Sequence, residues 1–298
     1  MTSKRKYLLG YEAAVLSVVL FSIKGIFAKK AYTLGATPEI LLGIRFGFAL
    51  PVFSWIALKS PEGLALSGMN RKDWMRAGVV SALGYVLASL MDFRGLQYIS
   101  VGLERVILYV HPTMLLILSV VLRKKSLRRS MIPALLLSYL GLALCFLGEV
   151  HVVSPVRTLH GALLVFASAV AYAVFLFGAE DIAPRIGTHR LTALGMVLAG
   201  LIFGVQAGMV AGREIFHQPS GVYFWSFGMA VLCTIVPVYL FGVGFKAMGA
   251  ARLSIASMMG PVAVLPLAAL FLGEHSGLLQ WVGFGLTLAG GMLLMRGK

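Results

Sequence analysis

The sequence predicts an all-α membrane protein with ten transmembrane helices in two inverted five-helix repeats. Hydrophobic residues fill 59% of the 298 positions and charged residues only 12%, against about 45–50% and about 25% in soluble domains. The chain also aligns with itself at a shift of half its length: Pro112 falls on Pro261 and Gly141 on Gly290. Composition therefore predicts the class, and self-similarity predicts the arrangement.

Ten segments are long and apolar enough to span a bilayer. They are apolar on every side, whereas membrane-spanning strands alternate polar and apolar residues, so helices are predicted. The predicted spans are Leu8–Ala28, Pro38–Leu58, Ala77–Leu96, Gly102–Leu122, Met131–Gly148, Gly161–Gly178, Leu191–Gly212, Val222–Phe245, Leu253–Leu272 and Leu278–Met295.

The positions of Lys and Arg predict the orientation. With the amino terminus in the cytoplasm, 18 of the 26 bases fall on the inner side and four on the outer side, which are Lys29, Lys30, Arg157 and Arg213. We therefore expect a multi-pass protein of the cell inner membrane with both termini cytoplasmic. The net charge of +15 is spread between apolar runs, so the lipid bilayer is the expected partner and nucleic acid is not.

The self-alignment predicts two repeats, residues 1–149 and 150–298. Five spans per repeat is an odd number, so the second repeat must cross the membrane in the opposite sense. Inverted repeats recur in secondary transporters, where they build similar cavities facing the two sides.

A charge inside a predicted span costs about 2.5–3.5 kcal/mol unless it has a partner or a wet cavity. Six such residues of the first repeat are candidates for a site, and they are Lys24, Arg45, Asp92, Arg94, Glu104 and Arg105. One interpretation is that Asp92, Arg94, Glu104 and Arg105 pair around the hairpin of the third and fourth helices and fasten it. The other is that they serve proton coupling. Four bases face two acids here, so Lys24 and Arg45 are predicted to be the unpaired cations. Lys24 is the first candidate to hold a carboxylate group of a substrate. Arg45 is the second candidate, and its alternative role is to anchor the second helix to the outer lipid headgroups.

Polar and aromatic side chains and two prolines add candidates for a substrate site. Pro112 frees the carbonyl of Leu108, and Pro261 frees that of Ser257, so each proline predicts a helix break. Such breaks are tolerated beside a cavity, and a kink without a function is the alternative. His111 is either a structural hydrogen-bonding residue or a proton carrier. Tyr85 and Asp92 are candidates because they share one polar face of the third helix with Ser81 and Ser89. Tyr109 and Tyr172 are further candidates, and packing would also explain each of them.

Enzymatic signatures are missing from the sequence. It contains no HExxH, Walker loop or GxSxG motif, so we expect no catalytic residue, metal site or cofactor. The two cysteines lie in apolar runs and are expected to be buried. Glycines in the tenth helix and Gly141 in the fifth leave two interpretations open, close packing inside the bundle or a homodimer face.

The order of these features resembles the EamA-type branch of the drug/metabolite transporter superfamily. The resemblance rests on short spans, on Arg45 in the second helix, on the stretch 95–100 leading to Pro112, and on Pro261 followed by Phe271–Glu274 and a Gly-rich last helix. It implies a central cavity built from helices 1, 3, 4, 6, 8 and 9, supported by helices 5 and 10. The first repeat has Lys124 and Lys125 where the second has Gly273 and Glu274, so an acidic role at that helix end falls to Glu274 alone.

These observations together predict a secondary transporter that moves a small-molecule substrate by alternating access. The resemblance implies export of amino acids, carboxylates or similar small organic metabolites. One alternative is a lipid-handling flippase. A second is a membrane-embedded enzyme with Asp92, Glu104 and His111 as acid and base, which the lack of soluble loops makes the weaker alternative.

Overall fold

The computed structural model describes residues 3–59, 70–123, 132–150, 154–244, 247, 259–274 and 276–296. Within those residues every regular element is helical, which confirms the predicted all-α class.

Ten helical spans follow one another in the described part of the chain. Eight of them, α1 to α8, are long and apolar enough to cross a bilayer, and α9 and α10 contribute two shorter apolar stretches. Large apolar side chains such as Leu58, Met209 and Leu278 are exposed on the outside of the bundle, as lipid contact requires. The spans are α1 (Ser3–Ser22 and Lys24–Tyr32), α2 (Pro38–Lys59), α3 (Arg71–Gly95), α4 (Val101–Arg123), α5 (Ile132–Val150), α6 (Pro155–Ile186), α7 (Thr188–Ala211), α8 (Ser220–Gly244), α9 (Met259–Leu272) and α10 (Leu278–Arg296).

The helix α6 is much longer than its predicted apolar span of residues 161–178. Hydropathy marks only the apolar part of this helix, and the helix continues beyond it into a charged end whose side chains have partners. Arg123 pairs with Glu180 and with Asp181. The helix stops at Gly187, whose φ of 84° suits glycine.

Four spans depart from regular α-helix. The first of them, α1, breaks at Ile23. The helix α3 contains a π-helical turn at Ala82–Leu87, and α8 contains one at Val231–Ile235. In α4 the helix is interrupted at Tyr109 and Val110, directly before the His–Pro pair, as Pro112 predicted. The sequence did not predict the π-turns, because an extra residue in one turn leaves no signature in hydropathy.

Each helix packs on a small set of partners. The helix α2 packs along α7, and α5 packs along α10. The helices α3 and α4 both pack on α6, while α8 and α9 both pack on α1. The buried charges Lys24, Arg45, Asp92, Glu104 and Arg105 belong to α1 to α4. They lie in the second part of α1, near the end of α3 and near the starts of α2 and α4.

Glycines bring α5 and α10 into close backbone contact. Gly141 lies directly against the backbone of Gly283, and Gly290 lies against Ser138. A side chain at any of these glycines would collide with the opposite helix. The three glycines therefore serve packing inside the bundle, and a homodimer, the alternative interpretation, would need another surface.

Candidate functional site

A cluster of buried charges joins α1, α3 and α4. The helix α1 breaks at Ile23, and Lys24 begins its second part with a side chain directed to the neighbouring helices. Its Nζ lies 2.5 Å from Asp92 Oδ2 and 3.8 Å from Glu104 Oε1. Asp92 is 2% exposed and Glu104 is completely buried. One ammonium group therefore serves two buried carboxyl groups.

Arg105 is the second cation of this cluster. Its Nε lies 3.1 Å from Glu104 Oε2, and its Nη2 donates a hydrogen bond to the carbonyl of Phe21 at 3.4 Å. Lys24, Asp92, Glu104 and Arg105 together form what we call the charge cluster. With all four ionised, the charge cluster carries no net charge.

Arg45 lies beside the charge cluster and reaches across to the second half of the chain. Its Nε and Nη2 donate hydrogen bonds of 3.2 and 2.9 Å to the hydroxyl of Thr234, which belongs to the π-turn of α8. The guanidinium also lies over the rings of Phe46 and Phe93, at 5.1 and 5.4 Å from their centroids. Among the described carboxylates none forms an ion pair with Arg45, so its buried positive charge is not neutralised.

The expected fastening of the hairpin by all four of its charges is wrong for Arg94. Residues two apart on a helix point in opposite directions, so Arg94 points away from Asp92. Its Nη2 and Nε instead contact Glu39 Oε1 at 2.7 and 2.9 Å. The Arg94 side chain is 42% exposed, so this pair lies at the rim of the bundle.

The expectation that Lys24 is an unpaired cation is also wrong. Counting Glu39 from the start of α2, three acids face the four bases, and Lys24 is paired with Asp92. The charge pattern of the sequence could not assign partners, because Lys24 and Asp92 are 68 positions apart. The one remaining surplus cation among these described residues is Arg45.

His111 restores the hydrogen bond that Pro112 removes. Its Nδ1 lies 2.7 Å from the carbonyl oxygen of Leu108, the group that the proline ring leaves without a donor. Because a carbonyl only accepts, Nδ1 carries the proton and donates it. This contact gives His111 a structural role at the break of α4.

A group of aromatic side chains adjoins this histidine. The ring of His111 contacts Tyr172 with centroids 5.3 Å apart, and Tyr172 is 5.7 Å from Phe175. Tyr85, in the π-turn of α3, packs on the other side of Phe175 at 5.0 Å. Three predicted site residues thus meet here, separately from the charge cluster.

Three further predicted site residues are Tyr109, Pro261 and Ser257. Tyr109 lies half-buried at the interruption of α4. Pro261 belongs to the first turn of α9, and its side chain lies outside the described part. Ser257 lies outside the described residues.

Two carboxylates cap the start of α4 at the end of the bundle where this helix begins. Glu149, from the end of α5, accepts hydrogen bonds of 2.7 Å from the backbone N–H and the hydroxyl of Ser100. Glu274, which follows α9, accepts one of 2.9 Å from the N–H of Val101 and lies 3.3 Å from Lys29 Nζ. Glu274 thereby links α1, α4 and the end of α9.

A pocket of about 430 Å³ opens at the same end of the bundle. Tyr32 and Leu96, both part of its lining, lie close to the charge cluster, and the Tyr32 hydroxyl donates a hydrogen bond of 2.9 Å to the carbonyl of Phe93. The pocket is lined by Lys29, Tyr32, Thr33, Leu96, Gln97, Tyr98 and Arg157.

Several of the important side chains were missed from the sequence. Glu39 is the partner of Arg94 that the charge count left out. It lies at the start of α2, and the predicted topology places this end of α2 at the same depth as Arg94, so the pair could have been predicted. Thr234 carried no signal, because a single threonine in an apolar helix is common.

Comparisons with known proteins identify the family. The model of the EamA-like transporter family matches residues 8–147 and again residues 159–296. The chain is 30% identical to the uncharacterized transporter YcbK of Bacillus subtilis, over 91% of this chain and 88% of that protein. It is 25% identical to an uncharacterized transporter of Archaeoglobus fulgidus, over 96% of both chains. A crystal structure described as "Crystal structure of protein" shares the fold, with a TM-score of 0.62 and 15% identity, over 98% of this chain and 96% of its own. The chain therefore belongs to the EamA-like transporter family, and it is a multi-pass membrane transporter and not an enzyme.

Proposed function

We propose that this protein is a secondary transporter of small organic metabolites that bear a carboxylate, amino acids among them. It works in the cell inner membrane by alternating access, and export is the direction that the family resemblance favours. The observation that carries the substrate class is the buried positive charge of Arg45. A carboxylate placed next to it would offset a charge that is otherwise expensive to keep out of water.

The geometry around Arg45 suits a substrate carboxylate. A guanidinium has five N–H donors, and here two of its nitrogens are directed to one hydroxyl oxygen, that of Thr234. Donors remain for a further acceptor, and planar guanidinium groups match carboxylates well. Arg45 also connects α2 with α8, so a substrate bound to it would contact both halves of the chain.

The packing of the helices supports alternating access by two repeats. If each helix is exchanged for the one five places away, the contacts of α3 and α4 with α6 become those of α8 and α9 with α1, while α2–α7 and α5–α10 are unchanged. The two π-turns begin at Ala82 and Val231, which correspond under the shift of 149. The family model matches one segment in each half. All three observations favour repeats at 1–149 and 150–298.

The proposal is tested with the purified protein in proteoliposomes. Uptake and efflux are measured for radiolabelled L-leucine, L-lysine and succinate, and for isoamylamine and cadaverine, which lack the carboxylate of the first two. We expect counterflow of at least one carboxylate and a preference over its decarboxylated analogue. A preference for the amines would contradict the proposed substrate class.

A pair of variants tests the role of Arg45. Arg45→Gln should reduce transport of the carboxylate at least tenfold, because the buried charge that holds it is gone. Arg94→Gln is the matched control, since it removes an arginine of the first repeat that already has a carboxylate partner at the rim. Equal loss in both variants would show that the effect is not specific to the substrate carboxylate.

A further inference from the structure

The Glu104 carboxyl group is buried in a way that suits its acid form better than its ionised form. It is completely buried, and neither of its oxygens receives a hydrogen bond within the described part of the chain. Oδ1 of Asp92 likewise has no donor there. Ionised carboxylates only accept hydrogen bonds, so two of them facing each other leave these oxygens unsatisfied.

One proton on this pair of carboxyl groups would supply the missing hydrogen-bond donor. A carboxylic acid donates its O–H, so a protonated Glu104 has a donor for the free oxygen of Asp92. Two buried carboxylates at one site repel each other, and the usual result is that one of them keeps a proton. Lys24 decides which one, because it lies 2.5 Å from Asp92 and 3.8 Å from Glu104. The shorter contact of the ammonium group is with Asp92, so Glu104 is the better position for the proton.

The groups around Glu104 also allow the proton to leave. Arg105, on the same helix, lies 3.1 Å from Oε2 and stabilises the ionised form without donating a well-directed hydrogen bond. Lys24 faces it from α1 and Asp92 from α3. The other titratable groups around the charge cluster are Arg45 of α2, Tyr32 of α1, Tyr109 of α4 and Cys233 of α8.

We propose that Glu104, supported by Asp92 and Lys24, is a one-proton site, and that the protein carries this proton together with the substrate carboxylate. A proton from water on one side forms the O–H bond of Glu104. On the other side that bond breaks and the proton returns to water. The second half of this proposal rests on the proposed function.

The direction of the coupling follows from charge. Protonation of Glu104 raises the net charge beside Arg45 by one positive unit, which favours binding of an anion. Linkage is reciprocal, so a bound anion also favours the proton. One carboxylate and one proton then move together without net charge, and the gradient of either can drive the other. Export therefore runs down an outward gradient of the carboxylate and carries the proton out with it, whereas an inward proton gradient drives uptake.

The proton site is tested without any substrate. Infrared spectra of the purified full-length protein in lipid nanodiscs are recorded over a pH series. We expect a carboxylic acid carbonyl band that persists at neutral pH in the wild type and is absent in Glu104→Gln. Glu39→Gln is the matched control and should keep the band, because Glu39 contacts two nitrogens of Arg94. A band that persists unchanged in Glu104→Gln, or no such band in the wild type, would overturn the site.

Asp92→Asn provides a second variant should Glu104→Gln fail to fold. Removal of the negative charge of Asp92 makes ionisation of Glu104 easier, so the band should disappear at a pH lower by about one unit or more. An unchanged midpoint would overturn the assignment of the pair.

The coupling is tested in the proteoliposomes with the carboxylate that moves in the panel above. An inwardly directed proton gradient should accelerate its uptake at least fivefold in the wild type and have no effect in Glu104→Gln. Acceleration by the opposite gradient would overturn the proposed direction of coupling. A panel in which no compound moves would contradict the proposed function, while the infrared titration would still decide the proton site.

Discussion

Arg45 and Thr234 show how one hydroxyl group holds a buried arginine in place. Thr234 lies in the π-turn of α8, and its hydroxyl donates to the carbonyl of Met229 at 3.2 Å while it accepts from Arg45. The aromatic rings beside the guanidinium attract its charge without neutralising it. The arginine is therefore fixed in position while its charge stays available to a ligand.

Lys24 stabilises the fold of the charge cluster, so its removal is expected to lower stability. Lys24→Met leaves the Asp92 carboxylate buried without its ion-pair partner, a change that costs roughly 3–5 kcal/mol. We expect a strongly lowered unfolding temperature in detergent. The double variant Lys24→Met/Asp92→Asn removes the orphaned charge and should recover most of the loss. A single variant as stable as the wild type would show that the ion pair of the structure does not form.

At the scale of elements, α5 and α10 pack closely because glycines, which have no side chain, lie where the two helices meet. Thr287 of α10 lies beside Gly141 of α5 and donates a hydrogen bond to the carbonyl of Gly283 at 2.9 Å. Close backbone approach gives van der Waals contact and polar contacts, which drive helix association where lipid offers no hydrophobic effect.

This packing predicts opposite effects for two glycine substitutions. Gly141→Ala places a methyl group against the backbone of Gly283 and should destabilise the protein by about 1–3 kcal/mol. Gly285→Ala, on the open face of α10, meets nothing and should be neutral or slightly stabilising. Thermal unfolding of both variants in the same detergent checks this. Similar values for the two would contradict the close contact.

Glu274, in the loop after α9, makes the stability of the fold depend on pH. Burial raises the pKa of Glu274 above its usual range, and Lys29 together with the N–H of Val101 opposes the rise without cancelling it. The folded protein therefore binds this proton more tightly than the unfolded chain. Its contribution to stability is complete below the ordinary pKa of 4.5 and is lost as the pH rises through the raised value.

Glu274→Gln should remove that part of the pH dependence. The unfolding temperature of the wild type, relative to the variant, is expected to fall as the pH rises from 4.5 toward neutral. Gln keeps an oxygen to accept from the N–H of Val101, so the variant isolates the ionisation. Parallel pH curves for the two proteins would contradict the raised pKa.

For the whole molecule, the distribution of bases predicts which ends of the helices face the cytoplasm. Lys72, at the start of α3, and Ser154, before α6, are both exposed and lie on opposite predicted sides. The native cysteines are buried, at 3% exposure for Cys145 and 0% for Cys233, so single introduced cysteines give the signal.

Lys72→Cys should react with an impermeant thiol reagent only from the cytoplasmic side, and Ser154→Cys only from outside. Intact cells and inside-out vesicles provide the two accessible faces. Labelling in the reverse pattern would contradict the assignment of both termini to the cytoplasm.

The sequence by itself determined the class, the number of spans and most helix positions. Apolar runs of about 20 residues have no stable place except a bilayer, and in a bilayer the backbone must form helix. Pro112 likewise predicted the break of α4, because its ring removes a donor whatever the surroundings. The intramembrane charges were found for the same reason, since a charged residue inside an apolar run is visible in the sequence whatever it contacts.

Only the tertiary structure decided which of these residues act together. Partner choice depends on contacts between helices that are far apart in sequence. Lys24 pairs with Asp92 and Arg94 pairs with Glu39, whereas Arg45 donates hydrogen bonds to the hydroxyl of Thr234. The π-turns were equally invisible, since they arise where packing favours one extra residue in a turn. A charge count over a sequence gives the net balance, but the identity of the unpaired charge depends on which side chains meet in space.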